Sequence, residues 1–310
     1  MSFKNIVNIF KRYTRPFWNL GEKIGLNCEL FPECFSPNHV AEISLSHLWA
    51  ELTNLLTMNQ RFLILLLSIL FSISGKISAQ SGRLILISKS NVEKTYEKWL
   101  RHQDPELRFV NMYNVPADSV AYFLTKADGF LMTGGEDIYP ARYGKEKDTV
   151  DCGEFDLRRD SLEFRLLDAA FRRKKPVFGV CRGLQLINVY LGGSLIVDIP
   201  SSHLGTKVQH REDGPVSHSV QVYAGSDLKQ ISASDSGMVV SNHHQGIEFL
   251  GKGLQPMAGT KDGLIEAITQ IGKPRLPFLM AVQWHPERME PENKLSGPLA
   301  AAFIQACNMK

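Results

Sequence analysis

The sequence predicts an α/β fold: a doubly wound, flavodoxin-like, mostly parallel sheet with helices on both faces. Two observations support this prediction. Between residues 83 and 283, short apolar runs of strand length alternate with stretches of helical periodicity. One apolar run, residues 177–180, passes through a tight glycine turn directly into a helical pattern, which is the arrangement of a nucleophile elbow.

The individual elements follow from their residue patterns. Buried strands are predicted where apolar residues run together, at residues 83–88, 109–112, 128–132, 177–180 and 278–283. Helices are predicted where apolar residues recur at helical spacing, at residues 92–102, 118–127, 155–173 and 184–191. Further strands, partly antiparallel, are predicted at residues 216–223, 237–240 and 264–270. Ligands of doubly wound sheets bind at the carboxyl ends of the strands, so the candidate site is sought there.

Cys181 occupies the turn between the strand at 177–180 and the helix that follows. Gly179 and Gly183 flank it, because so tight a turn leaves no room for side chains on either side. At the N-terminus of a helix the thiol experiences the positive end of the dipole, which favours the nucleophilic thiolate. The alternative is an inert, buried cysteine at the end of a strand.

A histidine and a glutamate follow the last predicted strand. The strand at 278–283 runs into Trp284, His285, Pro286 and Glu287, and the proline favours an extended His285. In an extended chain, residues two apart point the same way, so Glu287 can orient the imidazole while the imidazole takes a proton from Cys181. The pattern predicts a Cys181–His285–Glu287 triad. Considered alone, the same segment is also compatible with an ordinary turn.

A pair of glycines ends the predicted strand at 128–132. Thr133, Gly134 and Gly135 follow it, and a Gly-Gly pair lets backbone N–H groups approach a ligand closely. Together with the N–H of Arg182, this loop could form an oxyanion hole for a tetrahedral intermediate. A plain turn is the alternative.

These motifs resemble those of class I glutamine amidotransferase-like proteins, and within them the γ-glutamyl hydrolase-like branch. The resemblance covers the chain from about residue 83 to the C-terminus. Its Cys-Arg-Gly elbow at 181–183, its Ser-Asn-His-His-Gln segment at 241–245 and its Asp-Gly-x-x-Glu-Ala segment at 262–267 are typical of that branch. Synthase-feeding amidotransferase subunits usually carry another residue in the place of Arg182.

The resemblance implies a role for each site residue. Cys181 is the nucleophile, His285 the base and Glu287 the orienting acid, while the N–H groups of Gly135 and Arg182 form the oxyanion hole. The residues implied in substrate binding are Gln185, His243, His244 and Gln245.

The implied activity is hydrolysis of γ-glutamyl amides by way of a γ-glutamyl thioester, without a cofactor. Two alternatives stay open. One is a glutaminase subunit that delivers ammonia to a partner synthase, and the other is a non-catalytic binding protein with the same fold. The triad argues against the second, because a binding protein has no chemical need for all three residues.

Residues 58–79 have the parts of a secretory signal peptide. Met58 and Arg61 precede an apolar core at 62–74, and the small residue Ala79 precedes a polar stretch. The core is shorter than the roughly 20 apolar residues of a membrane-spanning helix. We interpret Met58 as the initiator, residues 1–57 as an extension without a domain, and residues 80–310 as the catalytic domain, which would be periplasmic or secreted. If Met1 is the true start and 62–74 is no export signal, the protein is cytoplasmic; an internal signal anchor is the remaining alternative.

The charge balance gives no sign of a polyanionic partner, so no nucleic-acid partner is predicted, and the small-molecule γ-glutamyl substrate is what the resemblance implies. Residues 1–79 hold 7 of the 35 Lys and Arg and 5 of the 32 Asp and Glu, so residues 80–310 have a formal charge of +1. After signal cleavage no stable membrane span is expected, and a homodimer is left open. Arg158, Arg159 and Asp160 are interpreted as part of a solvated helix face.

The remaining cysteines and histidines suggest little further chemistry. Cys152 and Cys307 could form a bridge or remain free thiols. No Cys/His spacing of the structural-zinc kind is present, and the adjacent His243 and His244 diverge in direction, so no metal is predicted. His210 and His218 bracket a polar loop, where a solvated position or contact with substrate is expected.

Overall fold

The computed structural model describes residues 82–202, 207–212, 216–272 and 274–309. These residues lie in one compact unit, residues 80–310. The predicted extension at 1–57 and signal peptide at 58–79 lie outside the described residues. Within the described part of the chain, every helix is too short or too polar to cross a membrane.

Strands and helices alternate through the first half of the described chain and strands dominate the second. The strands are β1 (Leu84–Ile87), β2 (Arg108–Asn111), β3 (Gly129–Met132), β4 (Val177–Val180), β5 (Ser194–Ile196), β6 (Val216–Val222), β7 (Ser236–Ser241), β8 (Gly246–Phe249), β9 (Leu254–Gly259), β10 (Ile265–Gln270) and β11 (Leu279–Val282). The helices are α1 (Thr95–Gln103), α2 (Val120–Lys126), α3 (Leu157–Arg173), α4 (Arg182–Tyr190), α5 (Asp227–Ser232) and α6 (Gly297–Cys307).

Nine of the described strands form one sheet in the order β2-β1-β3-β4-β11-β10-β9-β6-β7. The strands from β2 to β11 in this order pair in parallel, and those from β11 to β7 pair antiparallel. β5 and β8 form a separate antiparallel pair. The predicted doubly wound α/β fold is confirmed, and so is the prediction of partly antiparallel strands after the elbow helix.

The central strands are buried on both faces, which explains their unbroken apolar runs. Leu86 and Phe130 point into one apolar layer, whereas Ile87 and Leu131 point into the other, as the two-residue period of a strand requires. Helix α6 closes the second layer, where the ring of Phe303 lies 5.9 Å from that of Phe178. The carboxyl ends of β3, β4 and β11 are neighbours, so the three predicted motifs meet at one edge of the sheet.

Several elements differ from the prediction. The helix predicted at 92–102 begins at Thr95, and the elbow helix begins at Arg182 rather than 184. β5, β8, β9, α5 and α6 were not predicted. Helix α6 has apolar residues on nearly all of its faces, so its helical periodicity is weak. In β9, Pro256 interrupts the strand pattern.

A substitution of Gly183 tests the packing of the elbow, because a Cβ at this position would overlap with the carbonyl oxygen of Met132. We expect Gly183→Ala to destabilise the protein by about 1–3 kcal/mol, since either the strand or the helix must shift. Thermal unfolding measures this effect. Gly246→Ala is the control, because its added Cβ would meet Leu264 at an ordinary 3.4 Å. Equal melting temperatures of the two variants would contradict the packing argument.

Candidate active site

Cys181 stands at the carboxyl end of β4 in a strained backbone conformation. Its φ of 51° and ψ of −106° are unusual for a residue other than glycine. Its N–H donates to the carbonyl of Val282 at 2.8 Å, and its own carbonyl accepts from Leu184 at 2.9 Å. The turn is therefore held from both sides. Strain of this kind is stored at functional sites when the surroundings enforce it.

The two glycines around Cys181 are required by space, as predicted. A Cβ at Gly179 would lie 2.9 Å from the backbone of Gly183 and 2.9 Å from the side chain of Ala281. The strand and the helix approach each other across the turn at this point. The side chain of Cys181 is thereby presented at the edge of the sheet, where it is 5% exposed.

His285 and Glu287 form a hydrogen-bonded pair. His285 Nδ1 lies 2.8 Å from Glu287 Oε1, and both side chains are almost completely buried. The N–H of His285 donates to Val240 at 2.8 Å, which places the histidine against β7. The sequence predicted an extended chain through Glu287, and this prediction is wrong, because Pro286–Arg288 form a 3-10 turn. The turn nevertheless directs the carboxylate back to the imidazole.

The pair lies beside Cys181. Gly134 packs between them, since a Cβ on it would lie 3.0 Å from His285 Cε1 and 3.5 Å from Cys181 Cβ. Burial lowers the pKa of His285, but the negative charges of Cys181 and Glu287 outweigh burial and raise it to about 9. At neutral pH the imidazole therefore carries a proton, and among the described residues none forms a hydrogen bond with its Nε2 that would compete with the thiol.

A glutamine that the sequence analysis did not single out contacts the thiol. Gln283 Nε2 donates to Cys181 Sγ at 3.6 Å, and its Oε1 lies 3.4 Å from Gln185 Nε2. Gln185 Nε2 also lies 3.2 Å from the carbonyl of Gln245. Gln283 ends an apolar run and directly precedes Trp284. A polar amide at the end of a buried strand, two residues before His285, is the sequence signal that could have identified Gln283.

The loop after β3 is held in place by a buried arginine. Arg159 donates to the carbonyls of Thr133 at 3.1 Å and Gly134 at 2.8 Å. Because a trans peptide points its C=O and N–H in opposite directions, the N–H of Gly135 points away from Arg159. Gly135 has a φ of 146°, which favours glycine, and any Cβ there would overlap with the guanidinium of Arg159.

Arg159 belongs to a buried charge network that reaches the elbow helix. Its Nε donates to Glu163 at 2.9 Å, and Arg182 pairs with the same Glu163 and with Asp160 at 2.6 Å. All four side chains are at most 1% exposed. The interpretation of Arg159 and Asp160 as a solvated helix face is therefore wrong: two arginines and two carboxylates neutralise each other inside the protein.

As the first residue of α4, Arg182 has a backbone N–H without an intrahelical acceptor, as the predicted oxyanion role requires.

Of the four residues predicted to bind substrate, Gln185 lies on α4 and the other three lie between β7 and β8, and they differ in exposure. Gln185, His243 and Gln245 are buried, and Gln245 Nε2 donates to Val197 at 2.9 Å. His244 is partly exposed. Their roles in substrate binding stay a prediction.

His244 lies between two carboxylates. Its Nε2 is 3.0 Å from Asp137 and its Nδ1 is 3.1 Å from Asp198. The hydrogen bond with Asp137 raises the pKa of His244 against the effect of burial. The imidazole is thus held from both ring nitrogens by carboxylates, at a position that solvent reaches.

His210 and His218 are not solvated, contrary to the expectation for a polar loop. They are 4% and 5% exposed, and they meet His243 and Glu266 in the interior. Burial raises the pKa of Glu266, but its interactions with His210 and His243 lower it to about 2. These residues are separated by 8, 25 and 23 positions along the chain, so no short motif could reveal the cluster.

The remaining cysteines are unpaired. Cys152, Cys181 and Cys307 are all free thiols in the described part of the chain, so the Cys152–Cys307 bridge does not form. Burial raises the pKa of Cys307 to about 12 and also raises the pKa of Cys152. A raised pKa disfavours the thiolate, so both are poorer nucleophiles than a cysteine paired with a histidine.

Comparison with known proteins agrees with this geometry. The Peptidase C26 family profile matches residues 79–287. A putative glutamine amidotransferase of Schizosaccharomyces pombe is 38% identical over 180 residues, which are 57% of this chain and 68% of that protein. The γ-glutamyl-γ-aminobutyrate hydrolase PuuD of Escherichia coli K12 is 36% identical over 197 residues, which are 59% of this chain and 73% of that protein.

The fold is also that of solved glutaminase structures. The glutaminase domain of Trypanosoma brucei CTPS, solved with bound acivicin, aligns with a TM-score of 0.52 and 18% identity over 73% of this chain and 93% of that chain. At this identity the likeness shows the fold alone. Together with the profile match, it leads to one assignment: the chain belongs to the Peptidase C26 family, class I glutamine amidotransferase-like hydrolases that act on C–N bonds.

Proposed function

We propose that the chain is a cysteine hydrolase that cleaves γ-glutamyl amide bonds through a γ-glutamyl thioester, with Cys181, His285 and Glu287 as its triad. The observation that carries this proposal is the strained Cys181 beside a histidine whose Nδ1 lies 2.8 Å from Glu287. The name of the Escherichia coli relative, γ-glutamyl-γ-aminobutyrate hydrolase, supports the substrate class.

In the first half of the reaction, the Cys181 thiolate attacks the side-chain amide carbon of the substrate. The carbonyl oxygen becomes an oxyanion, which the N–H groups of Gly135 and Arg182 stabilise. The raised pKa of His285 means that the imidazole already holds a proton, and it donates this proton to the departing amine. The C–N bond breaks and the thioester remains.

In the second half, neutral His285 takes a proton from water, and the resulting hydroxide attacks the thioester carbon. The C–S bond breaks, glutamate leaves, and the thiolate and imidazolium are regenerated. Glu287 stabilises the positive charge each time the imidazole carries the proton. Gln283 donates to the sulfur, so it contacts the thiolate before attack and after release.

The α-amino and α-carboxylate groups of the substrate need polar partners near the elbow. We assign this binding to Gln185, His243, His244 and Gln245. His244 is the member of this group that solvent reaches, and its carboxylate neighbours Asp137 and Asp198 suit a cationic α-amino group. The buried members are linked through the carbonyl of Gln245, which lies within hydrogen-bond distance of both Gln185 and His243.

A glutaminase subunit that feeds ammonia to a synthase is the alternative, supported by the name of the Schizosaccharomyces pombe relative, a putative glutamine amidotransferase. Both activities share the thioester, so the leaving amine distinguishes them. A panel of γ-glutamyl amides, with glutamine included and Cys181→Ala as the control, separates the two. Turnover of substituted amides without a partner protein supports the hydrolase, whereas turnover of glutamine alone that rises with a partner supports the subunit.

Cys181→Ser should lower turnover by at least about a thousandfold, because a hydroxyl is much less acidic than the thiol. Steady-state kinetics on a γ-glutamyl amide measure the loss. Iodoacetamide should label Cys181 before Cys152 and Cys307, since the pKa values of the latter two are raised. Unchanged turnover in the Ser variant, or faster labelling of Cys307, contradicts the assignment of the nucleophile.

The pH profile tests the two downstream residues. kcat/KM should fall on the alkaline side near pH 9, where His285 loses the proton that the leaving amine requires. Glu287→Gln should move this limb to lower pH, because the carboxylate helps to raise the pKa of His285. Replacing the exposed Glu290 by Gln provides the control and should leave the limb in place.

His285→Ala should reduce kcat more than Glu287→Gln, since His285 transfers the proton and Glu287 only orients and stabilises it. An alkaline limb that is identical in the parent and Glu287→Gln argues against the ion pair.

We also propose that residues 58–79 direct export and are removed after Ala79. Expressed from Met58 in its own host, the protein should be recovered outside the cytoplasm with an N-terminus near Gln80, as N-terminal sequencing can establish. Replacing Leu65 and Leu66 by Asp should retain it inside, because charges disrupt the apolar core. An intact Met1 on a cytoplasmic species would overturn the export proposal and leave the triad unaffected.

A further inference from the structure

Three histidines and a carboxylate from four separate segments meet in the interior next to the catalytic residues. His210 lies before β6, His218 within β6, His243 after β7 and Glu266 in β10. All four side chains are buried, and one ligand atom from each lies within 4.8 Å of every other. We refer to these four residues as the histidine cluster. None of them makes or breaks a bond in the reaction steps derived above, and His243 alone belongs to the proposed substrate-binding group, as a buried support.

The histidine cluster contains an unusual concentration of unsatisfied polar atoms. In the described part of the chain, twelve buried side-chain nitrogen and oxygen atoms have no hydrogen-bond partner. Six of these belong to the cluster: His210 Nδ1, both ring nitrogens of His218, His243 Nε2 and both carboxylate oxygens of Glu266. Buried polar groups are normally hydrogen-bonded, and a group of exceptions that face one another indicates a ligand that bonds to all of them.

In two of the histidines, the ring nitrogen that points away from the cluster contacts a group of the kind that orients a metal ligand. His243 Nδ1 lies 2.9 Å from the carbonyl of Gln245, which can only accept, so Nδ1 carries the hydrogen and Nε2 keeps its lone pair. His210 Nε2 lies 3.1 Å from Asp262 Oδ2, which leaves the lone pair on Nδ1. A carboxylate or a carbonyl on the outer nitrogen is the usual second-shell partner of a metal-binding histidine.

The distances also suit a shared cation. His210 Nδ1 lies 3.4 Å from Glu266 Oε1, His243 Nε2 3.5 Å and His218 Nε2 3.9 Å. Ligand atoms about 2.0–2.1 Å from a tetrahedral zinc ion lie roughly 3.3–3.4 Å apart. Direct charge-assisted hydrogen bonds would instead bring nitrogen and oxygen to about 2.7–2.9 Å. Small rotations of the side chains would complete the tetrahedron.

From this convergence we infer that His210, His218, His243 and Glu266 bind one zinc ion as a closed, tetrahedral structural site. Three imidazoles and one carboxylate form a ligand set that zinc prefers, and four protein ligands leave no position for a reactive water. The ion would replace the missing partners of the cluster atoms. It would also join the segment before β6 to β6, β7 and β10.

The site would support the catalytic edge without taking part in the chemistry. The carbonyl of Gln245 accepts from His243 and also lies 3.2 Å from Gln185 Nε2. Gln185 in turn lies 3.4 Å from Gln283, which contacts the sulfur of Cys181. By binding His243, zinc would keep the Gln245 carbonyl in the position from which this chain of contacts begins.

Metal analysis of the parent protein tests the inference without any measurement of activity. The full chain is expressed in zinc-supplemented medium, passed through gel filtration and analysed by mass spectrometry of its elements. We expect about one zinc per chain. A chelator-stripped sample should melt at a lower temperature. Zn²⁺, but not Mg²⁺, should raise the melting temperature again, by roughly 5–10 °C at a hundredfold excess over the Kd.

Two variants make the assignment specific. His218→Gln should retain less than a tenth of the parent's zinc, because one of its four ligands is lost. His102→Gln is the matched control, since His102 is exposed on α1 and should leave the zinc content unchanged. If His218→Gln fails to fold, Co²⁺ added to the stripped parent provides the second measurement. Binding should produce the intense visible bands of a tetrahedral cobalt site.

The inference is overturned if the parent contains no zinc and the stripped chain neither binds Zn²⁺ nor gains stability from it. The cluster would then be an ion pair between protonated imidazoles and Glu266. Retention of full zinc content by a folded His218→Gln variant would equally overturn it. Neither result would affect the proposed hydrolase, because its nucleophile and base lie outside the cluster.

Discussion

The backbone turn at Cys181 is the constraint on which the rest of the site depends. A non-glycine residue with a φ of 51° persists only because β4, β11 and α4 enclose it. The turn presents the sulfur at the edge of the sheet and starts α4 at Arg182. The guanidinium of Arg182 donates to Glu163, which also accepts from Arg159, and Arg159 holds the loop before Gly135. Cys181 and the loop proposed to form the oxyanion hole are thus positioned by one buried network.

Much of this arrangement could be predicted from the sequence, for physical reasons. The strand at 177–180 is correct at both ends, because a fully buried central strand needs an unbroken apolar run. The elbow could be predicted because a turn this tight restricts its flanking positions to glycine. His285 and Glu287 could be paired because they follow a strand by two and four residues, and so must lie near its end.

The buried polar groups could not be predicted in the same way. Arg159 and Asp160 have the composition of a solvated helix face, and only their partners on α4 and the loop after β3 explain their burial. The histidine cluster brings together residues up to 56 positions apart, so its chemistry depends on the register of antiparallel strands. Periodicity reports which face of an element is apolar, but it carries no information on which distant charges that face will meet.

The central claim is that the reaction passes through a covalent bond between Cys181 and a γ-glutamyl group. Acid quenching during turnover of a γ-glutamyl amide, followed by proteolysis and mass spectrometry, tests it most directly. The account predicts that the peptide containing Cys181 gains the mass of one γ-glutamyl group, and that hydroxylamine releases it as expected for a thioester. Rapid turnover without any adduct under single-turnover conditions, or an adduct on another residue, would contradict it.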